Sequence, residues 1–395
     1  MTKKSTFLTF FLIVTLSLKG CTQSTKENNQ QEQQKSSLHI VKPTHVRGIH
    51  LTSAAAGSVK FRERFTPLLS NDKLNTIVIA VKEYDGVICL PNTSVAKKYN
   101  IPTWPIPKLK EYLEELKNRG IYTIARIVVF KDNALATKHP ELAVKNPDGS
   151  VWHDYKGNCW TDPYNKEVHQ YNIEIAKAAV EIGFDEIQFD YIRFPSDGNI
   201  KLCRYSQNHS STTATLALLE FLSAAKQQLS PIPISIDVFG LTPSVNHDMG
   251  IGQRFLEMAN IVDYISPMTY PSHYRKGEYG IPDPNKEPYN TVFRTISDAK
   301  KLLGEQYKKL RPYLQDFSLG YKYGKYEVEQ QIKACYNNGI FDWLLWDPKC
   351  KYTLEAIEEM VKYNENNWQV TVTTESVITN QLNSPTTNFL DKTSQ

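Results

Sequence analysis

The sequence predicts a single-domain (β/α)8 barrel. Strand-like and helix-like runs alternate about eight times over roughly 320 residues. Strands that are separated by helices pair in parallel through right-handed crossovers, and eight such units favour a closed barrel over an open sheet. No glycine-rich phosphate loop follows the first strand, which argues against a nucleotide-binding Rossmann domain.

The predicted strands are short apolar runs in which β-branched and aromatic residues are frequent. They cover residues 46–53, 76–83, 122–130, 186–195, 234–240, 264–271, 309–317 and 343–349. The predicted helices place apolar residues at helical spacing. They comprise an amphipathic stretch ending at Leu69, residues 108–120, 166–183, 213–229, 250–260, 288–303 and 326–339, and a last helix from Thr353.

The two ends of the chain depart from this pattern. Residues 1–20, with two lysines and a short apolar run, predict a signal peptide of the lipoprotein type. Residues 21–43 are polar and predict a flexible linker. Residues 44–363 are predicted to form the barrel domain, and residues 364–395 a polar, disordered tail.

Cys21 follows a leucine and a glycine in a pattern similar to a bacterial lipobox, in which the cysteine is acylated. This predicts an exported lipoprotein, anchored to a membrane through Cys21, in the periplasm or at the cell surface. An ordinary cleaved signal peptide is the alternative. The other five cysteines show no CxxC pair and no zinc-ligand spacing, which favours scattered buried thiols.

Composition narrows the classes of partner. A net charge of +4 with interspersed acids and bases provides no concentrated basic face, so we expect no nucleic-acid ligand. The histidines lack metal-ligand spacing, and we expect neither a metal nor another cofactor. The 22 tyrosines and 6 tryptophans are a weak indication of sugar-stacking surfaces. The sequence leaves the oligomeric state open.

Polar residues gather at the C-terminal ends of the predicted strands, where a (β/α)8 barrel carries its active site. Strand alternation places Gln188 and Asp190 on one face of the fourth strand, and Asp237 lies near the end of the fifth. Paired carboxylates on adjacent strands suit glycosidic cleavage, since one protonates the departing oxygen while the other attacks the anomeric carbon or activates water. Asp190 and Asp237 are therefore the predicted catalytic residues.

Seven further residues are predicted to contact the substrate. A cation such as Lys82 or Arg126 would keep one carboxylate ionised, while desolvation raises the pKa of the other. Tyr270 and Trp346 would stack on a sugar ring. The full set is His50, Lys82, Arg126, Gln188, Arg193, Tyr270 and Trp346.

Structural roles compete with these assignments. Asp190 and Arg126 could form an ion pair inside the barrel, and His50 could be a core histidine. Asp316 and Asp347 fit loop or cap positions better than catalytic ones. Carboxylate oxygens about 5–10 Å apart across an open cleft would favour catalysis, whereas an Asp190–Arg126 pair that plugs the cleft would favour binding alone.

Several motifs resemble a bacterial family of glycoside hydrolases that is designated only as a domain of unknown function. They include ARIVVFKDNALA, GFDEIQFDYIRFPSDG, VDYISPMTYPSHY and WLLWDP, and the resemblance covers residues 46–350. It implies a (β/α)8 barrel related to amylase-like and chitinase-like hydrolases, a glycosidase activity and a carbohydrate substrate. It does not imply a particular sugar.

The segment GFDEIQFDYI also resembles the fourth-strand motif of family 18 chitinases, in which a catalytic glutamate follows the last aspartate by two residues. Ile192 occupies that position here. The amylase-like arrangement, with a nucleophilic aspartate after the fourth strand and a proton donor after the fifth, fits Asp190 and Asp237 better. Ile192 also motivates the alternative function, a carbohydrate-binding surface lipoprotein on a catalytically inactive barrel.

Overall fold

The computed structural model describes residues 39–70 and 72–360. The predicted signal peptide, the proposed lipidation site at Cys21 and the predicted tail lie outside these residues. Within them, eight parallel strands form a closed barrel in sequential order. The strands are Arg47–Leu51 (β1), Thr76–Lys82 (β2), Tyr122–Val128 (β3), Glu186–Asp190 (β4), Ile234–Phe239 (β5), Tyr264–Met268 (β6), Tyr313–Gln315 (β7) and Trp343–Trp346 (β8). The predicted (β/α)8 barrel is confirmed.

Helices follow the strands and surround the barrel. The α-helices are Ser53–Gly57 (α1), Val59–Arg62 (α2), Ser94–Lys98 (α3), Leu109–Asn118 (α4), Asn133–Lys138 (α5), Lys166–Ile182 (α6), Ser211–Leu229 (α7), Phe255–Ala259 (α8), Pro288–Leu303 (α9) and Lys325–Asn337 (α10), and residues 354–360 are also helical. Short 3-10 helices cover Thr66–Leu68, Pro140–Leu142, Ile200–Leu202, Thr242–Ser244, Pro271–His273, Glu278–Gly280, Pro284–Lys286 and Gly304–Lys309. Across the described ranges, no helix has the length and apolarity that a bilayer span requires.

The helix boundaries agree with the sequence patterns except where glycine intervenes. Helix α6 begins after Asn165, whose side chain accepts a hydrogen bond from the Glu167 N–H, and it ends at Gly183 in the left-handed conformation. The helix predicted for residues 250–260 begins only at Phe255. Gly250 and Gly252 before it have φ angles of 70° and 81°, which a continuous right-handed helix cannot contain.

The apolar core lies between the outer face of the barrel and the helices. Ile77, Ile79 and Val81 alternate along β2 and belong to the same buried cluster as Leu113 and Leu116 of α4. Burial of each such side chain contributes about 1.5–3 kcal/mol to folding. The outer layer of the barrel is therefore the main source of its stability.

The inside of the barrel is polar and arranged in layers. Glu186, Gln188 and Asp190 alternate along β4 and are all buried. At the base, the Glu186 carboxylate accepts hydrogen bonds from the Arg311 guanidinium. One layer higher, the Gln188 carbonyl oxygen accepts a hydrogen bond of 2.7 Å from the Tyr313 hydroxyl. Asp190 ends the strand and faces the barrel mouth.

Several hydrogen bonds surround the buried ion pair of the base layer, and such bonds are what make a buried ion pair tolerable. Besides Arg311, Glu186 accepts hydrogen bonds from the Ser235 hydroxyl at 2.6 Å and the Tyr122 hydroxyl at 3.1 Å. The Arg311 guanidinium also lies 4.8 Å from the centre of the Tyr264 ring. This network closes the lower end of the barrel and leaves the upper end for the active site.

Candidate active site

A cavity of about 820 Å³ opens at the C-terminal ends of the strands, where the fold predicts an active site. Six of the predicted site residues line it, namely Arg126, Asp190, Arg193, Asp237, Tyr270 and Trp346. His50, Lys82 and Gln188 lie outside its lining. The structure thus brings both predicted catalytic aspartates and their predicted cation to one cavity.

The guanidinium of Arg126 gathers three carboxyl groups. Its Nε and Nη2 atoms donate to the Asp190 Oδ2 at 3.1 and 2.5 Å, and its Nη1 donates to the Glu83 Oε2 at 3.0 Å. The Asp237 Oδ2 lies 3.9 Å from the same Nε. Because both lie close to the same Nε atom, the Oδ2 atoms of Asp190 and Asp237 are separated by no more than about 7 Å.

Asp190 is held in place by donors on both of its oxygens. Besides the two bonds from Arg126, its Oδ1 accepts a hydrogen bond of 2.5 Å from the Tyr191 N–H. Tyr191 has a φ of 52°, which is uncommon for a bulky side chain and ends β4 earlier than predicted. Such backbone conformations cluster at functional sites. The left-handed turn directs the N–H group at the carboxylate.

Asp237 is in a different environment. It is almost completely buried, and its Oδ1 atom has no hydrogen-bond partner among the described residues. Burial raises the pKa of Asp237 well above its usual value, and the nearby negative charge of Asp190 raises it further. Arg126 and Arg311 offset only part of this rise. The surroundings therefore favour the protonated acid.

Charge balance explains why the two aspartates differ. A single guanidinium cannot neutralise three ionised carboxyl groups in a buried site, and Asp237 is the one most distant from it. Asp190 is hydrogen-bonded to Arg126 as its counter-ion, whereas the surroundings of Asp237 favour its protonated form. Paired titratable groups whose environments differ in this way are suited to act as base and acid.

Aromatic residues form the floor of the site. The Arg126 guanidinium lies 4.9 Å from the centre of the Trp346 ring, which stacks on the His50 ring at 4.1 Å between centroids. Tyr270 packs edge-on against Phe317 at 5.6 Å. Trp346 and Tyr270 both line the cavity, and their stacking on a sugar ring stays a prediction.

His50 lies outside the cavity in which substrate contact was predicted. Its ring is fully buried, and burial, followed by the charge of Arg126, lowers its pKa well below the usual value. Neither ring nitrogen has a hydrogen-bond partner among the described residues. His50 is a neutral ring that supports Trp346, as the structural alternative proposed.

Lys82 is also outside the cavity, contrary to the prediction. The register between β2 and β3 shifts between Ala80 and Lys82, so the side chain points into the helix layer instead of the barrel mouth. There the fully buried Nζ forms an ion pair with Asp132 at 2.7 Å and donates to the Asn172 amide oxygen at 3.0 Å. Lys82 is therefore a structural residue that joins β2 to α6.

Gln188 faces the barrel interior as predicted but lies one layer below the cavity. Its carbonyl oxygen is bound by Tyr313, and the side chain is fully buried. Gln188 does not belong to the cavity lining, and its contact with Tyr313 places it beneath the floor.

Arg193 lines the cavity as predicted, within an aromatic wall. Its guanidinium lies 4.7–4.9 Å from the centres of the Tyr191, Trp160 and Phe239 rings. Its Nη1 donates to the Ser196 hydroxyl at 2.8 Å. The rings fix the direction of the guanidinium next to the carboxylates.

Several residues in or beside the cavity were not identified from the sequence. Glu83 follows the bulge in β2. Regular strand alternation, which takes no account of the bulge, does not predict its contact with Arg126. Trp160 comes from the long loop after β3, and Tyr191 depends on a backbone conformation that no sequence pattern signals.

Lys131, beside Trp160, forms an ion pair of 2.8 Å with Asp154. Burial opposes ionisation of Asp154, but bonds from Lys131 and neighbouring groups outweigh it and lower its pKa to about 2.

The remaining acids at the strand ends are structural, as predicted. Asp316 accepts hydrogen bonds from the N–H and hydroxyl of Thr353 at 2.7 and 2.6 Å, next to the helical residues 354–360. Asp347 accepts hydrogen bonds from the N–H groups of Lys349 and Lys351.

In the part of the chain that the structure describes, no group of three or more His, Cys, Asp or Glu side chains could hold a metal ion. The five cysteines of this part are buried and free.

Residues 48–352 match a family model described as "Putative glycosyl hydrolase domain". The chain belongs to this glycosyl hydrolase family. It is a glycosidase, as the motif resemblance implied, and its substrate is a carbohydrate. No curated protein sequence matches the chain.

Solved structures share the barrel fold. The PgaB (BpsB) glycoside hydrolase domain from Bordetella bronchiseptica has a TM-score of 0.59 at 10% identity, covering 80% of this chain and 98% of that one. The α-galactosidase TtGalA from Thermus thermophilus, in complex with p-nitrophenyl α-D-galactopyranoside, has a TM-score of 0.51 at 10% identity. The match covers 82% of this chain but 62% of the galactosidase. A hypothetical protein from Ruminiclostridium thermocellum is 36% identical over 48% of this chain and 97% of its own, with a TM-score of 0.44.

Asp237→Asn is expected to stabilise the folded protein increasingly as pH rises. Because the pKa of Asp237 is raised on folding, the folded state binds its proton more tightly than the unfolded state does. This site therefore lowers the free energy of unfolding from about pH 4 up to the folded pKa, by at most about 1.4 kcal/mol per pH unit. Asparagine removes that dependence. Urea unfolding of both proteins between pH 4 and 8 measures it, and a constant difference across the range would contradict the raised pKa.

Proposed function

We propose that the protein hydrolyses a glycosidic bond in a polysaccharide or cell-wall glycan, with Asp237 as the general acid and Asp190 as the nucleophile or charge-stabilising carboxylate. The observation that carries this proposal is the unequal treatment of the two aspartates. Both line one cavity, but Asp190 is bound by Arg126, whereas Asp237 is buried with an unpartnered oxygen and a raised pKa. Cleavage of a glycoside needs one carboxylate and one carboxylic acid.

In this mechanism the proton of Asp237 passes to the glycosidic oxygen as the bond to the anomeric carbon breaks. The Asp190 carboxylate faces the positive charge that develops on that carbon, and either bonds to it or stabilises it. Asp237, now ionised, then takes a proton from the water molecule that attacks the sugar. Both aspartates return to their starting state, and one water molecule is consumed for each bond cleaved.

The other cavity residues prepare the aspartates and the sugar. Arg126 orients Asp190, and its second carboxylate partner, Glu83, limits how far the guanidinium can move toward Asp237. Trp346 and Tyr270 offer ring surfaces for stacking at the floor. Exclusion of water by these rings strengthens the electrostatic contacts in the cavity.

A carbohydrate-binding protein without catalysis is the second candidate. It is favoured by the direct Asp190–Arg126 ion pair and by Ile192, which is buried and stands where chitinases carry their proton donor. The ion pair does not plug the cleft, however, because both of its members line the open cavity. Asp237 supplies an acid in a different position, so the absence of a glutamate at residue 192 does not remove the proton donor.

The two aspartates are expected to respond differently to the leaving group. On unactivated polysaccharides, Asp190→Asn and Asp237→Asn should each lower kcat/KM by at least about 10²-fold. On aryl glycosides, whose leaving group needs no proton, Asp237→Asn should retain most of its kcat/KM, while its kcat falls because the water-activating base is lost. Asp190→Asn should remain inactive on these substrates. A glycan panel assayed with both variants measures this, with Asp298→Asn on α9 as the matched control.

Two outcomes would decide against the mechanism. Glycan binding with the same trace turnover in wild type and both variants would establish the non-catalytic alternative. Equal losses for Asp237→Asn on aryl glycosides and polysaccharides would remove Asp237 from the role of proton donor.

Membrane anchoring through an acylated Cys21, after export to the periplasm or cell surface, is a separate proposal that rests on the lipobox-like sequence alone. The full chain expressed in bacteria should partition with membranes, and Cys21→Ser should abolish both acylation and this partitioning. Equal partitioning of the two proteins would rule out the anchor.

A further inference from the structure

A second cavity of about 480 Å³ adjoins the catalytic one. It is formed by residues of α1 and by the segment after β2, including Ser53, Ser58, Glu83, Asp85, Trp104 and Ile106. The Glu83 carboxylate belongs to its wall, while Arg126, 3.0 Å away, lines the catalytic cavity. The Glu83–Arg126 ion pair is therefore the partition between the two cavities.

Trp104 is the most prominent residue of the second cavity. Its side chain is 75% exposed, although indole is among the larger apolar groups. The backbone under it is fixed, because the Trp104 N–H donates to the Ile88 carbonyl at 2.9 Å and Ile88 forms bridges to Lys82 and Thr103. An exposed aromatic ring on a backbone held by these hydrogen bonds, beside a concave surface, offers a face for stacking.

The polar lining complements this platform. Glu83 and Asp85 provide carboxylate acceptors, Ser53 and Ser58 provide hydroxyl groups, and Ile106 contributes apolar surface. No Arg, Lys or His side chain belongs to the described lining. Such a surface accepts hydrogen bonds from hydroxyl or amino groups and disfavours sugars that carry a carboxylate.

We propose that the second cavity is a subsite for another sugar unit of the same glycan, an uncharged or amino hexose that stacks on Trp104. This inference rests on the proposed function, since it treats the catalytic cavity as the place of cleavage. The glycan then crosses the Glu83–Arg126 partition, and its remote unit contributes binding energy at a distance from the broken bond. The protein accordingly prefers chains over disaccharides.

The test measures how Trp104→Ala affects binding of short and long chains. Calorimetric titrations would use the β-1,4-linked dimers and hexamers of glucose, N-acetylglucosamine and glucosamine, in the Asp237→Asn protein so that none is consumed. Trp104→Ala should weaken binding of the preferred hexamer by about two- to tenfold and leave the dimers unchanged. Trp104→Phe should restore most of the affinity, and Leu302→Ala, which removes a 41%-exposed side chain of α9, is the control.

The outcomes separate this proposal from the mechanism. Two results would overturn the subsite. In the first, Trp104→Ala weakens the binding of dimers and hexamers equally. In the second, hexamers bind no more tightly than dimers to the protein that retains Trp104. A hexamer-specific loss in a protein that cleaves no glycan in the panel would support the subsite and reject the hydrolytic mechanism. Hydrolysis of a glycan without any effect of Trp104→Ala on chain-length preference would support the hydrolytic mechanism and reject the subsite.

Discussion

The site depends on the contact between the buried Arg126 guanidinium and the carboxylate of Asp190. A buried charge is tolerated only when it is paired and hydrogen-bonded, and Arg126 meets this requirement with Asp190 and Glu83. Asp237, at 3.9 Å, receives much less of the positive charge. In the proposed mechanism this contact makes Asp190 the carboxylate partner, and the burial of Asp237 favours its protonated form.

Hydrogen-bonded polar side chains continue below the site, through the interior of the barrel to its base. Glu186, Gln188 and Asp190 occupy successive inward positions of β4, and each is bound by a side chain from across or beside the strand. Barrels of this kind are more often filled with branched apolar residues. Here a hydrogen-bonded column supports the site, and the apolar contribution to stability comes from the outer layer between strands and helices.

Periodicity made the fold and part of the site predictable. Alternating strands and helices predicted the barrel, and alternation within β4 and β5 identified Asp190 and Asp237. Lys82 was misplaced because a bulge in β2 reverses the alternation, and the same bulge concealed Glu83. Gln188 was assigned to the correct face but the wrong depth, and His50 is covered by Trp346. Tyr191 itself adopts a left-handed backbone conformation, and Trp160 lies in a long loop. Tertiary contacts determine both geometries, and these contacts are not visible in the sequence.

Direct observation of the Asp237 proton tests the central claim. Infrared difference spectra between the wild type and Asp237→Asn, recorded at pH 6, report a protonated carboxyl through its carbonyl band. An ordinary aspartate, with a pKa of about 3.9, is ionised at this pH. The division of roles predicts a protonated carboxyl band in the wild-type minus Asp237→Asn difference spectrum. Burial raises the pKa of Asp316 to about 7, but its band is common to both proteins and cancels. Absence of the difference band would contradict the division of roles between Asp190 and Asp237.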